Sequence, residues 1–448
     1  MQTKKYEMDM CSGPLAGKML AFSIPLMFSG ILQLLFNAVD IIVVGRFISS
    51  RALGAVGSTS TLIFLLTGLF MGLSVGANVL TSRYRGAGKE KEISEVVHTA
   101  VALSLLCGVL MSVAGIAGAR GLLTLMGTPE DILNMAVLYM QIYFIGMPAG
   151  LSYNMGAAIL RAVGDTKRPL YFLLFAGSMN VVLNLLFTLV LKWGIAGIAF
   201  ATICSQTGSA LLVLSVLKKS EGALRLNLKE IRLHKVQLKR ILRIGIPASL
   251  QSILFSFSNV VIQSSINSFG SAVVAGSAAA ANIEGFVTTS MNAFHQTTMN
   301  FTSQNYGARH YQRINKVLRL ALVFDAVIGL ILGSAAYFFG KQLLGIYVGD
   351  AKVVSYGLIR LLYTCPTYFL LGTMDVFVGA LRGVGYSVLP MVISLTGACG
   401  LRVLWVYTIF RENPTLEMLF LSYPVTWLIT ALVQFICTIY VFRKIRQN

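Results

Sequence analysis

The sequence predicts an all-α polytopic membrane protein with twelve transmembrane helices in two six-helix lobes. The first observation is composition: 56% of the 448 residues are hydrophobic and 12% are charged, whereas a soluble domain carries about 25% charged residues. The second is that apolar residues form runs of about 20 or more, the length that crosses a bilayer as a helix. The third is an internal repeat, which divides the chain into two similar halves.

The apolar runs place the twelve helices in order along the chain. Short polar connections separate the runs, and the mean hydropathy of the whole chain is +0.75. We predict spans at residues 17–45, 52–82, 94–118, 131–158, 167–191, 194–217, 240–268, 272–304, 314–340, 353–380, 386–410 and 416–442.

The distribution of charge predicts the orientation. The net charge is +19, but basic residues gather in alternate connections, such as 83–91, 218–243 and 443–446. The positive-inside rule assigns these connections and both termini to the cytoplasm, in a multi-pass protein of the cell inner (plasma) membrane. Because the charge follows this topology, we expect the lipid bilayer as a partner and no nucleic acid.

The repeat is visible as identities in one register. Aligning the two halves superposes Ile24-Pro25 on Ile246-Pro247 and, after one deletion, LRAVGDTKRP (160–169) on LRGVGYSVLP (381–390). With six spans each, both halves cross the membrane in the same sense, which predicts a pseudo-two-fold axis along the membrane normal, as in transporters built from parallel repeats. We predict an N-lobe at 1–217, a charged cytoplasmic linker at 218–239 and a C-lobe at 240–448.

One carboxylate, Asp40, interrupts the first apolar run, in LLFNAVDIIVVGRF (34–47). An ionised Asp inside a membrane helix costs a few kcal/mol, so it either snorkels or caps near a helix end, or faces a polar cavity and binds Na⁺ or a proton. Further polar residues in the same half favour the cavity: Asn154, Asn180, Asn184 and Thr202. Asn180 and Asn184 share one helical face, although a structural bond between helices is an equally good interpretation of these two amides.

The second half differs at this place, because Ile262 aligns with Asp40. Its candidate buried acids are Glu284, Asp325 and Asp375, with Arg360 and Arg402 as candidate counter-charges. We predict Glu284 and Asp375 as a C-lobe site for a cationic substrate or a proton, with structural ion pairing as the alternative.

Two other residues within predicted spans carry hypotheses. Pro25 is a candidate conformational hinge in the first span, because proline frees a backbone carbonyl and permits a bend; a passive kink is the alternative. His295 stands alone in the eighth span, and we expect a hydrogen-bonded core residue.

Several classes of protein are disfavoured. The sequence has no Walker A motif, no HExxH and no soluble domain that could hold a nucleotide, so we predict neither an ATP-driven pump nor an enzyme. The four histidines are scattered, which argues against a membrane-embedded catalytic centre. A purely structural membrane protein would not need a buried acid with amide and hydroxyl neighbours.

Over nearly its whole length the chain resembles the multidrug and toxic compound extrusion (MATE) family. The resemblance rests on Ile24-Pro25 followed by Asp40, on LRAVGDTKRP with its repeat partner, on Asn180-x₃-Asn184, and on AGIAFAT ending at Thr202. It implies two six-helix lobes around a V-shaped cavity, and an exchange of Na⁺ or H⁺ for an organic, usually cationic, compound that moves outward. On the matching positions, an N-lobe cation site would comprise Asp40, Asn154, Asn180, Asn184 and Thr202. Some branches of the family have an essential Glu in the seventh span, where this chain reads PASLQSILFSFSNVV, so a C-lobe cation site does not transfer.

The expected function is therefore a secondary antiporter that exports organic cations by alternating access. We expect a monomer with Na⁺ or H⁺ as the coupling ion, Na⁺ being held by Asp40, Asn180, Asn184 and Thr202, and no other cofactor. The alternative is a lipid-linked oligosaccharide flippase of the same wider superfamily. Such a flippase would need more cations deep in its spans than Arg360 and Arg402.

Overall fold

The computed structural model describes residues 6–447, except for the side chains of residues 50 and 61. The first five residues of the predicted N-lobe and the last residue of the predicted C-lobe therefore lie outside the described residues. No strand occurs among residues 6–447. The helices are α1 (Leu15–Phe47), α2 (Ser50–Gly86), α3 (Glu90–Leu125), α4 (Glu130–Ile145), α5 (Met147–Ala162), α6 (Lys167–Leu185), α7 (Gly194–Lys219), α8 (Lys235–Asn267), α9 (Ser271–Gly307), α10 (Tyr311–Phe338), α11 (Gly340–Tyr347), α12 (Ala351–Thr364), α13 (Tyr368–Gly383), α14 (Val388–Ser394), α15 (Arg402–Tyr407), α16 (Ile409–Glu412) and α17 (Leu416–Gln447).

Most of these helices have the length and composition of membrane spans. Ten helical segments of the described chain are long and apolar enough to span a membrane. In this count, helices joined through a short π- or 3₁₀-helical turn are taken as one segment. α4 and α5 meet at a bend of 49° and make an eleventh if they form one span. α9, at the predicted span 272–304, has 37 residues but is not among the ten, because polar residues dilute its apolar ones. The chain is a multi-pass, all-helical membrane protein, as predicted.

Two equivalent glycine turns follow α5 and α13. Gly164 has a φ of 94° and Gly385 a φ of 93°, in a region that glycine enters without steric cost. The alignment of the two halves superposes one glycine on the other. The repeated segments 160–169 and 381–390 therefore contain the same tight turn at the same place.

The chain divides into two compact units. Unit 1 combines the N-terminal residues up to Asp9 with Ile31–Ser249, and unit 2 combines Met10–Gly30 with the chain from Leu250 onward. The division falls within α1, after Gly30. The predicted limits of the N-lobe, linker and C-lobe stay a prediction.

Each unit has its own buried core. In unit 1, Met140 and Phe144 of α4 are fully buried among apolar residues of α2, α3 and α7. In unit 2, α9 lies at the centre, with 22 buried residues and packing against α10, α12 and α13.

The predicted linker, 218–239, is an ordered part of unit 1. Leu224 and Leu226 are 4% and 2% exposed, and the turn at Gly222–Leu224 packs on α3. The N–H of Asn227 donates to Nε2 of His98 on α3 at 3.0 Å. The charged segment therefore docks through its apolar residues and its backbone, while most of its charged side chains are exposed.

Candidate cation-binding site

Four helices of unit 1 carry the residues predicted for the N-lobe site. Asp40 lies on α1, Asn154 on α5, Asn180 and Asn184 on α6, and Thr202 on α7. The two asparagines are one helical turn apart and face the same direction. Asn184 is completely buried and Asn180 is 4% exposed, whereas Asp40, Asn154 and Thr202 are half-buried.

The Asn184 amide joins α6 to α1. Its Nδ2 donates to Oδ1 of Asp40 at 2.6 Å and to Oδ1 of Asn180 at 3.0 Å. Both amide hydrogens are thereby used, and the carbonyl oxygen Oδ1 of Asn184 has no partner among the described residues. A buried carbonyl oxygen without a donor is suited to a bound cation, because a cation would supply the missing positive partner.

A polar cavity of about 180 Å³ brings the predicted residues together. Its lining includes Asp40, Asn154, Asn180 and Thr202. Asn184 does not line the cavity but donates a hydrogen bond to Asp40. The side chains of Asn154 and Thr202 donate to carbonyls of their own helices, Gly150 at 2.9 Å and Ile198 at 3.0 Å. Their oxygen lone pairs therefore stay available to a ligand in the cavity.

Several polar residues of this cavity were not predicted from the sequence. They are Gln33, Asn37, Tyr153, Ser205, Gln206 and Ser209. A signal was present: Gln33, Asn37 and Asp40 recur at helical spacing on α1, as do Thr202, Ser205, Gln206 and Ser209 on α7. A polar stripe of period 3.6 inside an apolar span indicates a face turned toward a polar environment.

The chemistry of the cavity suits a small cation. Its donors are carboxylate, amide carbonyl and hydroxyl oxygens, which hard cations prefer. A cavity of about 180 Å³ is smaller than the roughly 300–1,000 Å³ of sites for drug-sized molecules. The residues present therefore fit Na⁺ with water, or a proton on Asp40, better than a bulky organic ligand held in this cavity alone.

The equivalent place in the second repeat is apolar. Ile262, at the position that aligns with Asp40, is 2% exposed and packs in a cluster with Ile266, Val273 and Phe420. Its role is thus core packing, and the two repeats differ in chemistry as predicted.

Glu284 forms a buried ion pair with Arg360. Nε and Nη2 of Arg360 donate to Oε1 and Oε2 of Glu284 at 3.0 and 2.6 Å, and Oγ1 of Thr364 donates to Oε1 at 2.7 Å. Both carboxylate oxygens are therefore occupied. This geometry favours the structural alternative for Glu284 over a site for a cationic substrate or a proton.

Asp375 lies in a second polar cluster of unit 2. Its main-chain carbonyl accepts a hydrogen bond from Nδ1 of His295 at 2.6 Å, so His295 is the hydrogen-bonded core residue expected.

Asp325 of α10 is completely buried, and neither of its carboxylate oxygens has a hydrogen-bond partner among the described residues. Gly372 of α13 makes room for it, since a Cβ there would lie 2.1 Å from Oδ2 of Asp325. Glu284 and Asp375 are thus in separate surroundings, and the two buried carboxylate oxygens of Asp325 lack hydrogen-bond partners among the described residues.

Pro25 lies inside α1, which continues unbroken on both sides of it. The hydroxyl of Ser29 donates to the Pro25 carbonyl at 2.8 Å. The hinge stays a prediction.

Comparisons with known proteins agree with the repeat. The family model described as MatE matches the chain twice, at residues 25–186 and 247–408. The two matches begin at Pro25 and Pro247, which the alignment within the sequence also superposes. They cover most of the chain.

The relatives are similar over nearly their whole lengths. The chain is 28% identical to a protein named "Probable multidrug resistance protein YoeA" of Bacillus subtilis (strain 168), over 92% of this chain and 91% of the relative. It is 24% identical to "Multidrug export protein MepA" of Staphylococcus aureus (strain NCTC 8325 / PS 47), over 83% of this chain and 82% of the relative. A crystal structure described as MATE in complex with MaL6 has the same fold, with a TM-score of 0.92 at 22% identity over 98% of this chain and 99% of that chain.

Proposed function

This chain belongs to the MatE family, and on that premise we propose that it is a secondary antiporter that exports organic cations in exchange for Na⁺ or H⁺. As a member of this family, it is a membrane transporter and not an enzyme. One observation carries the rest of the proposal: Asn184 holds the carboxylate of Asp40 at the wall of a polar cavity. A carboxylate kept in such a position attracts cations.

The names of the relatives support drugs as cargo. One is named for multidrug resistance and another for multidrug export, and both align with most of this chain. Substrates that are organic cations would complement the negative charge at Asp40.

The cycle that we propose uses Asp40 for two cations in turn. With the cavity open to the outside, Na⁺ or a proton binds at Asp40 and neutralises it, so a cationic substrate is released. The ion-loaded protein then opens inward by rocking of the two lobes, releases the ion and takes up substrate from the cytoplasm or the inner leaflet. Coupling follows because one negative charge cannot stabilise both cations at once.

The ligands for Na⁺ would come from three helices. Carboxylate, amide and hydroxyl oxygens would be provided by Asp40, Asn180, Asn184 and Thr202. The Oδ1 atom of Asn184 has no hydrogen-bond partner among the described residues, which supports its proposed role as a ligand of the cation. Asn154 lines the same cavity. A bend near Pro25 would move Asp40 relative to the start of α1, which gives the proline its proposed role as a hinge.

In unit 2, one of the two predicted acids remains a candidate site. Glu284 is engaged by Arg360 and Thr364, so Asp375 is the predicted acid that we retain as a site for a proton or a cationic substrate. The protein is proposed to be a monomer in the plasma membrane with both termini in the cytoplasm, as the positive-inside rule predicts.

A flippase for anionic lipid-linked sugars is less well supported. It would need free cations deep in the spans, but Arg360 is paired with Glu284. The guanidinium of Arg402 lies 4.1 Å from the ring centre of Tyr423 and 5.9 Å from that of Trp427. The arginines named for that alternative are therefore held by carboxylate and aromatic partners.

The test is ion-driven uptake of a fluorescent organic cation into everted vesicles or proteoliposomes. Na⁺ and pH gradients are imposed separately on the wild type, on Asp40→Asn, and on the control Asp131→Asn, which changes an exposed acid in the first turn of α4. We expect gradient-driven uptake in the wild type and the control, and uptake at the background level in Asp40→Asn.

The outcomes are separable. Dependence on only one gradient identifies the ion. Equal uptake by Asp40→Asn and wild type moves the coupling site away from Asp40 and toward Asp375. No uptake under either gradient contradicts the antiporter proposal.

A further inference from the structure

A groove lined by arginines lies between α10 and α17 in unit 2. It has a volume of about 420 Å³, in the range of sites for small ligands, and its walls include Asn315, Arg319, Leu322, Phe435, Ile439 and Arg443. Arg446 completes its charged end. The groove is distinct from the polar cavity of unit 1.

The groove is polar at one end and apolar at the other. Arg319 lies eight residues after the start of α10, and Arg443 and Arg446 lie in the last turns of α17. At about 1.5 Å per residue, Leu322 and Phe435 lie deeper along the same two helices. Phe435 is 45% exposed, so the apolar end is open at the surface. A ligand that fits both ends carries a negative head and an apolar tail.

The arginines are available to such a ligand. Arg319, Arg443 and Arg446 are exposed, and no acidic side chain lines the groove. Among residues 6–447 the described ion pairs involve other basic residues. Guanidinium groups match phosphate oxygens with paired hydrogen bonds.

The first repeat shows what fills the equivalent groove there. α3 and α10 begin at equivalent positions of the repeat, and so do α7 and α17 to within a residue. In unit 1, α7 ends at Lys219 and the chain turns back, so that Leu224 and Leu226 are buried and Asn227 binds His98. His98 aligns with Arg319. α17 instead continues to Gln447, and no described segment turns back over its groove.

From this geometry we infer that the groove between α10 and α17 binds an anionic phospholipid of the leaflet at that end. The phosphate would lie among Arg319, Arg443 and Arg446, and an acyl chain would lie along Leu322, Phe435 and Ile439. Basic pockets between membrane helices bind anionic lipid headgroups in this way. The lipid would take the place that the linker leucines occupy in the first repeat. This inference does not depend on the transport proposal.

The experiment measures lipid binding to the purified full-length protein by native mass spectrometry. The probes are dioleoyl phosphatidylglycerol, dioleoyl phosphatidylcholine and inorganic phosphate. The variants are the groove pair Arg319→Gln/Arg443→Gln and the control pair Lys316→Gln/Lys444→Gln, which removes the same charge from exposed residues of the same two helices. A third variant, Ile439→Trp, fills the apolar end and keeps every arginine.

We expect phosphatidylglycerol to bind more tightly than phosphatidylcholine. The groove pair should weaken its binding by roughly thirtyfold, from about 1 kcal/mol for each of two basic residues, while the control pair stays close to wild type. Ile439→Trp should also weaken lipid binding. Size-exclusion profiles check that each variant is folded.

Three results would overturn the inference. Equal binding of both lipids would remove the role of the negative headgroup. Equal losses in the groove pair and the control pair would indicate surface charge without a site. Competition by inorganic phosphate, with no effect of Ile439→Trp, would assign the groove to a free anion.

Discussion

Asn184 shows how a single amide can organise a charged site. It is fully buried and donates to both Asp40 and Asn180, which fixes the orientation of the carboxylate toward the cavity. An asparagine and an aspartate have nearly the same shape. The positions of amide and carboxylate in this pair are therefore exchangeable without loss of volume.

Exchanging the pair is a direct test of this arrangement. Asp40→Asn alone removes the charge, whereas Asp40→Asn/Asn184→Asp restores one carboxylate beside one amide, 2.6 Å apart in the wild type. We expect the double variant to regain gradient-driven uptake to within about tenfold of wild type, which corresponds to only about 1.4 kcal/mol of barrier. The measurement is vesicle uptake at matched protein abundance.

The single Asn184→Asp is the control for this exchange. It should place two carboxylates in contact, which cannot both be ionised without a cation between them. If the exchanged pair were as inactive as Asp40→Asn, the site would require the carboxylate on α1 itself.

The ion pair of Glu284 and Arg360 is expected to contribute to the stability of the folded protein. The side chains are 6% and 12% exposed, and removing one partner of a buried pair costs about 3–5 kcal/mol because the other charge is left alone. Arg360→Met should therefore lower the thermal unfolding midpoint strongly. Glu284→Gln/Arg360→Met should recover part of that loss, as measured on detergent-purified protein.

Transport by the same variants separates structure from function. If Glu284→Gln/Arg360→Met is folded and transports normally, the pair is structural. Normal stability of Arg360→Met, together with lost transport, would contradict that assignment and again make Glu284 a candidate site for a cationic substrate or a proton.

Sequence alone predicted part of these residue pairings. The spacing of Asn180 and Asn184 placed both on one face, and Asp40 stood out as an acid in an apolar run. The partner of Glu284 is far from it along the chain, on α12, and sequence reasoning could offer Arg360 only as one of two candidates. Which arginine reaches the acid depends on tertiary packing.

At the scale of helices, glycines set how closely neighbours approach. A Cβ on Gly108 of α3 would lie 2.4 Å from Cα of Pro148, where α4 gives way to α5. At the equivalent place of the second repeat, a Cβ on Gly329 of α10 would lie 3.1 Å from Cα of Phe369. In both repeats, therefore, a glycine lets a long helix pack closely against the neighbouring chain near the point where the neighbouring helix is interrupted.

Two glycines of α3 are expected to respond in opposite ways to alanine. Gly108→Ala clashes with backbone atoms that cannot rotate away, and overpacking of this kind costs about 1–3 kcal/mol. Gly121→Ala enters open space and should stabilise the helix by up to about 1 kcal/mol through helix propensity. Thermal unfolding midpoints of the two variants measure this difference, and a fall of equal size in both would contradict the packing account.

Each of the twelve predicted spans coincides with a helix or a run of helices, but the interruptions within the spans were not predicted. The spans predicted at 131–158 and 353–380 each consist of two helices. Their breaks, at Gly146 and at Cys365–Thr367, coincide when the two repeats are aligned. Hydropathy is continuous across both breaks, so the apolar run that revealed each span also concealed its bend.

At the scale of the whole molecule, duplication was the most informative feature of the sequence. It predicted two repeats of six spans, and the two family-model matches confirm the repeat. It could not predict how the copies differ. Ile262 lies in an apolar core where the first copy has Asp40, and leucines fill a groove in one copy that arginines line in the other.

The polarity of α9 has a consequence for the synthesis of the protein. A helix enters the bilayer readily on its own only when its residues favour lipid over water. α9 has buried polar residues such as Thr297, Asn300 and Gln304, and it is less apolar than the helices that have the composition of membrane spans. Its contacts in unit 2 are mainly with α10, α12 and α13, which are all made later by the ribosome. We therefore expect α9 to insert stably only together with these later helices, so that part of the second half of the chain enters the membrane as a group.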